Sequence, residues 1–188
     1  MKSMLKKLIF NTTSKSWAKE KRRRIKPFIK DGDKIIDIGA GKGALSWSLM
    51  EDGYDITPVD VKDLSYSEMV NPLIYDGERI PFEDDKFDVA LLITVLHHTP
   101  DPEKIIKEAK RVAKRVIIIE DVYNNNFEKY ATWFMDSLLN WQFSGHPHTN
   151  MKDKEWKDTF KKLGLTLKST SEERALFYFK QNTYYLER

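Results

Sequence analysis

Short apolar runs alternate along this chain with segments of helical periodicity. Lys34–Ile38 carries three isoleucines around a single aspartate, and Phe87–Thr94 is a near-continuous apolar run. Both are typical of strands that are buried in a parallel sheet. Between such runs, apolar residues recur every three or four positions, which is the period of a helix with one buried face. Strands that alternate with helices predict a parallel sheet with right-handed crossovers.

The same patterns set approximate bounds for the predicted elements. The predicted strands are Lys34–Ile38, Asp55–Val59, Leu73–Tyr75, Phe87–Thr94, Val116–Ile119, Leu165–Ser169 and Ala175–Leu186. The predicted helices are Lys42–Glu51, one that runs from Pro102 to Val112, Phe127–Phe143 and Asp153–Leu163. Residues 61–70 leave room only for a short helix or a loop, and Gly145–Asn150 is predicted to be a loop.

Three glycines at alternate positions follow the first predicted strand. Gly39, Gly41 and Gly43 connect it to a helix whose buried face carries Leu45 and Leu49. Glycine accepts positive φ and allows close ligand approach, and the helix that follows presents free N–H groups. The third glycine comes one position earlier than in the dinucleotide fingerprint, and the hydroxyl of a phosphate-binding loop is missing. The pattern predicts a ligand-binding turn, with a tight turn that binds no ligand as the alternative.

Polar residues close most of the predicted strands. In a doubly wound sheet, ligands bind beyond the carboxyl ends of the strands. Asp60 lies 19 residues beyond Gly41, which suits a carboxylate that accepts hydrogen bonds from ribose hydroxyls. Any one of these residues is readily explained as an ordinary strand-end group, but together they predict a binding site. The strand-end residues are Asp60, Asp76, Thr94, Glu120 and Asp121.

Charge is concentrated at the amino terminus. The 188-residue chain has a net charge of +3, whereas residues 1–30 hold 11 basic residues and one acidic residue, a charge of +10 that leaves −7 for the remainder. Apolar residues recur at helical spacing among the first lysines. The pattern predicts a basic helical extension over residues 1–26 and one domain over residues 27–188. The extension either packs on the domain, contacts a membrane or nucleic acid, or is a disordered tail.

The composition excludes several kinds of site. The chain has no cysteine, which rules out disulfides, thiolate metal ligands and cysteine nucleophiles. No apolar run approaches the roughly 18 residues that span a bilayer. The amino terminus lacks the apolar segment and cleavage site of a signal peptide. From these features we expect a cytoplasmic protein.

Between residues 34 and 121 the chain resembles a known enzyme family. The resemblance rests on Asp-Ile-Gly-Ala-Gly-Lys-Gly at 37–43, Asp60, Asp-Gly-Glu-Arg-Ile-Pro-Phe-Glu-Asp-Asp-Lys-Phe-Asp at 76–88, Val-Leu-His-His-Thr-Pro-Asp at 95–101 and Glu-Ala-Lys-Arg-Val at 108–112. As a set, these motifs resemble the class I S-adenosylmethionine-dependent methyltransferases, and in particular the subgroup that acts mainly on small molecules and lipids. The last third of the chain resembles the family only in its order of one helix and two strands.

The resemblance implies both a fold and an activity. The implied fold is a doubly wound, Rossmann-like α/β fold, with a seven-stranded, mostly parallel sheet, an antiparallel final strand and helices on both faces. The implied activity is methyl transfer from S-adenosylmethionine to a small or lipid-like acceptor. The alternatives are a nucleic-acid or protein methyltransferase that uses the basic segment, and a non-catalytic subunit that binds the cofactor. Nucleic acid is disfavoured because no Asn/Asp-Pro-Pro-aromatic signature is present.

The resemblance also implies roles for individual residues near the methionine part of the cofactor. Asp37 would reach its amino group, directly or through water. Gly39, Ala40 and Gly41 would pack against the methionine part, and Thr94 would offer its backbone carbonyl to the ammonium.

A second set of residues would hold the nucleoside part. Asp60 would bind the ribose diol, with Val61 beside the adenine. Asp76 would accept a hydrogen bond from the adenine amino group, with Gly77 in the same loop.

Methyl transfer is an in-line displacement at an activated carbon, so the enzyme mainly has to align the reactants. A general base is needed only when the acceptor must lose a proton. The loop Gly145–Asn150 precedes the penultimate helix and is predicted to lie over the pocket as a substrate loop. The candidate catalytic residues are His98, which follows the fourth strand, and His148, which lies in this substrate loop. A role for His98 as a pocket wall is equally consistent with the sequence. Two histidines at 146 and 148 are a weak basis for a metal site, and none is predicted.

Two further segments bear on the acceptor. The aromatic stripe of Phe127–Phe143 is typical of a core helix, and part of it would line the acceptor pocket. In the family, an amino-terminal extension often folds over the cofactor, whereas a basic helix with an apolar stripe would equally suit an anionic membrane. We expect a lid, and keep peripheral membrane contact as the competing hypothesis.

Overall fold

The computed structural model describes residues 2–65, 70–125, 128–130, 149–175 and 179–188, with side chains for all of these except 2–13, 175 and 179. Its helices are α1 (Lys2–Ile25), α2 (Ala44–Glu51), α3 (Pro102–Val112) and α4 (Asp153–Lys162). Its strands are β1 (Lys34–Ile38), β2 (Asp55–Asp60), β3 (Leu73–Ile74), β4 (Phe87–Ile93), β5 (Ala113–Val122), β6 (Thr166–Ala175) and β7 (Phe179–Glu187). Within this part of the chain, no helix is long and apolar enough to cross a bilayer.

The seven strands form one sheet in the order β3-β2-β1-β4-β5-β7-β6. The pairs from β3 to β5 are parallel, and β7 runs antiparallel to both β5 and β6. Alternate residues of the central strands face opposite sides. Ile36 therefore packs with α3 and α4, whereas Ile35 packs with α1 and α2. The predicted fold, with an antiparallel final strand and helices on both faces, is confirmed.

The observed bounds differ from the predicted ones mainly in the later strands. β5 runs from Ala113 to Val122, well beyond the predicted Val116–Ile119, because it pairs with β4 at its start and with β7 to its end. β6 extends through the polar residues 170–174, which hydrogen-bond to β7 at the edge of the sheet. Apolar patterning cannot detect such polar strand ends, because neighbouring strands rather than burial hold them.

Several predicted segments fall partly outside the described residues. Residues 61–65 form no helix, and residues 66–69 are not among those described. Of the predicted aromatic helix Phe127–Phe143, only residues 128–130 are described, and they are helical. Of the predicted loop Gly145–Asn150, only residues 149 and 150 are described, and they have no regular structure.

The second half of α1 packs against the sheet through basic residues as well as apolar ones. Ile25 is fully buried, and so are the side chains of Lys21 and Arg24. Arg24 donates to the hydroxyl of Thr183 (2.9 Å) and to the backbone carbonyl of Gln181 (3.1 Å). Lys21 hydrogen-bonds to the side chain of Gln181, and burial lowers the pKa of its ammonium. This half of the basic segment is therefore tied to β7 and is not a free tail.

Candidate active site

The glycine turn between β1 and α2 folds back over the end of β2. Gly39, Gly41 and Gly43 have φ values of +76°, +54° and +76°, a region that side-chain-bearing residues rarely adopt. The N–H groups of Gly39 and Ala40 both donate to the carbonyl of Val59, at 2.8 and 3.1 Å. A Cβ placed on Gly41 would meet nothing closer than 4.0 Å. The carbonyl of Val59 thus holds the turn in place, and there is open space beside the Cα of Gly41.

Asp60 connects the end of β2 to this turn. One of its carboxylate oxygens accepts the Gly41 N–H at 2.7 Å. The other accepts the N–H groups of Val61 (2.7 Å) and Lys62 (3.2 Å). Because an ionised carboxylate has about four acceptor positions, these three bonds leave room for one more donor. The sequence placed Asp60 and Gly41 at one edge of the sheet, and the structure brings them into direct contact.

Asp37 lies beneath the turn. Its side chain is buried, and the Ser46 hydroxyl of α2 donates to it at 2.5 Å. Burial raises the pKa of Asp37 to about 6, and the charge of Asp60 acts in the same direction. Ser46 was missed by sequence reasoning, although a serine on the buried face of a helix, beside Leu45, is the kind of signal that marks a polar partner.

Asp76 and Gly77 follow the short strand β3. The Asp76 carboxylate is exposed and accepts the N–H groups of Glu78 (2.8 Å) and Arg79 (3.1 Å), which lower its pKa. Gly77 has a φ of +79°, and a Cβ there would lie 3.2 Å from the side chain of Val61. The side chain of Val61 is 50% exposed. Val61 and the Asp76–Gly77 turn therefore share one open face beside Asp60.

The segment Thr94–His98, here called the β4 loop, closes the opposite side of the turn. Thr94 has a φ of +52°, and its N–H donates to the Ile119 carbonyl at 2.7 Å. The side chain of Val95 approaches Gly39 so closely that a Cβ there would lie 2.2 Å from it. His97 is buried, and His98 is half-buried with its ring 4.1 Å from that of His97. His148, the other candidate catalytic residue, lies outside the described residues.

Glu120 holds the β4 loop from β5. Its side chain is fully buried, and one carboxylate oxygen accepts the N–H groups of Val95 (2.8 Å) and Leu96 (2.7 Å). The other oxygen lies 2.5 Å from Nδ1 of His97. The sequence marked Glu120 only as one of several strand-end acids. Nothing near it along the chain indicates that it bonds to a loop more than twenty residues away.

A comparison with known protein families finds a match over the part of the chain that forms this edge. Residues 36–117, which hold the turn, Asp60, the β4 loop and the first half of β5, match the family model described as a methyltransferase domain. Over these residues the chain is similar to the class I S-adenosylmethionine-dependent methyltransferases. The resemblance noted in the motifs is confirmed, and S-adenosylmethionine is the cofactor of this family.

Two curated relatives illustrate the range of the family. Over 132 residues the chain is 29% identical to a ubiquinone biosynthesis O-methyltransferase of Idiomarina loihiensis, an alignment that covers 62% of this chain and 54% of that protein. Over 109 residues it is 28% identical to a sterol 4-C-methyltransferase of Caenorhabditis elegans, covering 50% and 33%. The chain therefore matches between a third and about half of the length of these relatives.

A solved structure shows the same fold over most of the chain. The S-adenosylmethionine-dependent methyltransferase of Methanosarcina mazei superposes with a TM-score of 0.70 at 19% sequence identity. The match covers 87% of this chain and 96% of that one.

The residues at the edge fit such a cofactor, which carries an ammonium, a ribose diol and an aromatic base. The backbone is open at Gly41. Near it lie the buried carboxylate of Asp37 and the carboxylate of Asp60, which has one hydrogen-bond acceptor position left. Val61 and the exposed Asp76 provide an apolar surface and an acceptor next to them.

We predict that Gly39→Ala destabilises the fold more than Gly53→Ala does. Both positions have positive φ, but a Cβ at Gly39 would overlap Val95, whereas a Cβ at Gly53 meets nothing within 4 Å. Gly53→Ala should cost about 1–2 kcal/mol from backbone strain alone. Gly39→Ala should lower the free energy of unfolding by about another 1–3 kcal/mol, because its Cβ overpacks against Val95. Urea denaturation checks this, and equal losses for the two variants would contradict the close contact.

Proposed function

We propose that this protein transfers a methyl group from S-adenosylmethionine to a small or lipid-like acceptor. The observation that carries the proposal is the meeting of the glycine turn with Asp60 at the carboxyl edge of the sheet, through the 2.7 Å bond from Gly41. That edge is where a doubly wound sheet binds its ligand. The family match supports the cofactor, and the curated relatives support an acceptor of low molecular weight.

At the methionine end of the cofactor, we assign the ammonium to Asp37 and to the backbone carbonyl of Thr94. The backbone of Gly39, Ala40 and Gly41 would pack against the methionine chain. Asp37 suits the role because a cation is the favoured partner of a carboxylate that is buried close to a second acid, Asp60.

At the nucleoside end, we assign the ribose hydroxyls to the remaining acceptor position of Asp60. Val61 would cover the adenine, and Asp76 would accept from the adenine amino group, with Gly77 allowing close approach. The two N–H groups that already bind Asp76 keep its carboxylate ionised and oriented. Bound in this way, the cofactor supplies an electrophilic methyl carbon.

The chain's own contribution to methyl transfer is alignment and exclusion of water. The β4 loop would lie between the glycine turn, where the cofactor binds, and the place of the methyl acceptor. His98 is half-buried in this loop, where it would act as a base for an acceptor that must lose a proton, or as a wall that orients one. His148 is kept as a second candidate for the base.

We propose that α1 continues as a lid over this edge. Lys15 lies 5.1 Å from the ring of Trp47, and Arg22 pairs with Asp52 at 2.8 Å, so α1 and α2 run side by side in the same direction. α2 begins at Ala44, three residues before Trp47. The part of α1 well before Lys15 would therefore extend beyond the start of α2, by about 15 Å for ten residues at 1.5 Å per residue. The glycine turn lies at that end.

The test of the proposed function is transfer of a labelled methyl group. The protein, incubated with methyl-labelled S-adenosylmethionine, should methylate a phenolic or hydroxylated apolar compound and release S-adenosylhomocysteine. Matched incubations with duplex DNA, tRNA and a basic protein substrate test the polymer alternative. Label in a polymer alone would contradict the proposed acceptor class, and label in no acceptor despite cofactor binding would favour a non-catalytic subunit.

A second prediction concerns pH. Because the pKa of Asp37 is raised to about 6, its carboxyl is protonated below that pH in the free protein. An ammonium binds only the ionised form of the carboxyl group. As the pH increases from 5 to 6, the affinity for S-adenosylhomocysteine should therefore increase by up to about tenfold, and it should level off above about pH 7. Calorimetric titrations at pH 5, 6, 7 and 8 measure this.

Asp37→Asn is the matched control for the pH dependence. It retains the shape of the side chain and removes its titration, so it should bind more weakly at pH 7 and show a flat profile between pH 5 and 7. A wild-type affinity that stays constant across this range would mean that Asp37 does not meet the ammonium.

A further inference from the structure

The β4 loop has no sheet partner for the N–H groups of Val95, which is half-buried, and of Leu96, which is buried. Buried backbone donors need an acceptor, and here the acceptor is the carboxylate of Glu120. The side chain of Glu120 is itself fully buried. A buried carboxylate costs several kcal/mol unless its oxygens are well bonded. Its three contacts, including Nδ1 of His97, meet that requirement.

The β4 loop, which Glu120 holds in place, is in contact with the glycine turn. The side chain of Val95 fills the space in which a side chain of residue 39 would lie, with 2.2 Å between its Cγ2 and a Cβ built on Gly39. Glu120 binds the backbone N–H of this same Val95. A displacement of the loop would therefore either press on the glycine turn or leave a gap behind it.

The loop is also in contact with the segment that precedes α4. The N–H of Thr149 donates to the His97 carbonyl at 3.2 Å. The Thr149 hydroxyl lies 3.0 Å from the Leu96 carbonyl and 3.1 Å from that of Thr99. Residues 149 and 150 end the predicted substrate loop, so the acceptor side and the cofactor side meet at the residues that Glu120 fixes.

We propose that Glu120 is a positioning residue for methyl transfer. It sets the β4 loop in the one arrangement that places Val95 against the glycine turn and His98, beside His97, toward the acceptor. This inference rests on the proposed function. It adds to that function a residue that touches neither the cofactor nor the acceptor and acts through the backbone of the loop.

The chemistry of Glu120 suggests variants that separate geometry from charge. In Glu120→Gln, the amide oxygen can still accept both N–H groups, and the amide nitrogen can donate to Nδ1 of His97. The loop then keeps its shape, while the charge is lost. In Glu120→Asp, the charge is kept, but the side chain is one methylene shorter and cannot reach the loop without moving it. Glu120→Ala removes all three contacts.

Asp33 offers a matched control at the opposite edge of the sheet. Its carboxylate is also buried, accepts a backbone N–H from Lys30 (2.7 Å) and pairs with Arg115 (2.6 Å). It lies before β1, away from the glycine turn. Asp33→Ala should therefore lower the melting temperature without changing turnover or cofactor affinity per folded molecule.

The experiment measures kcat and KM for S-adenosylmethionine, the Kd for S-adenosylhomocysteine and the folded fraction for all five proteins at a temperature well below unfolding. We expect Glu120→Asp and Glu120→Ala to lose on the order of ten- to a hundredfold in kcat, the scale of an ångström-sized misplacement. Glu120→Gln should stay within about threefold of the wild type. If Glu120→Ala does not fold, Glu120→Asp still decides the outcome.

Wild-type kcat per folded molecule in both Glu120→Asp and Glu120→Ala would overturn the positioning role while leaving the proposed function intact. A Glu120→Gln variant as impaired as Glu120→Asp would also overturn it, since charge rather than loop geometry would then matter. A wild-type protein that neither binds S-adenosylhomocysteine nor transfers methyl groups would overturn both proposals.

Discussion

The bond from the Gly41 N–H to Asp60 is the contact on which the site depends. It ties a loop between β1 and α2 to the end of β2, so the position of the glycine turn is set by a strand and not by the turn itself. The same carboxylate also fixes the backbone directly after β2, because it accepts the N–H of Val61. One side chain thereby arranges both the open backbone at Gly41 and the apolar surface beside it.

Carboxylates recur in this role around the carboxyl edge. Glu120 binds the β4 loop, Asp76 binds the turn after β3, and Asp121 accepts from Gln181 at 2.7 Å. Gln181 in turn accepts from Lys21 of α1, so the basic helix reaches the same edge. Strand ends leave backbone donors without ladder partners, and Asp60, Asp76 and Glu120 satisfy those that follow β2, β3 and β4. The edge is preorganised by these bonds, which suits a reaction that depends on alignment.

Much of this arrangement could be predicted from the sequence, because its signals are local. The glycine spacing, the apolar run of β4 and the acids at strand ends can each be recognised from a few consecutive residues. The partners of those acids could not be predicted. The pairing of Glu120 with Val95 spans 25 residues, and the burial of Lys21 against Gln181 spans 160. A lysine in a basic helix looks solvent-exposed by pattern, and only the packing of α1 on β7 shows otherwise.

We propose that the glycine turn and Asp60 form a site for S-adenosylmethionine, and calorimetric titration with S-adenosylhomocysteine at pH 7.5 tests this most directly. We expect saturable binding at one site per chain, with no heat from NAD under the same conditions. Heat from NAD and none from S-adenosylhomocysteine would contradict it.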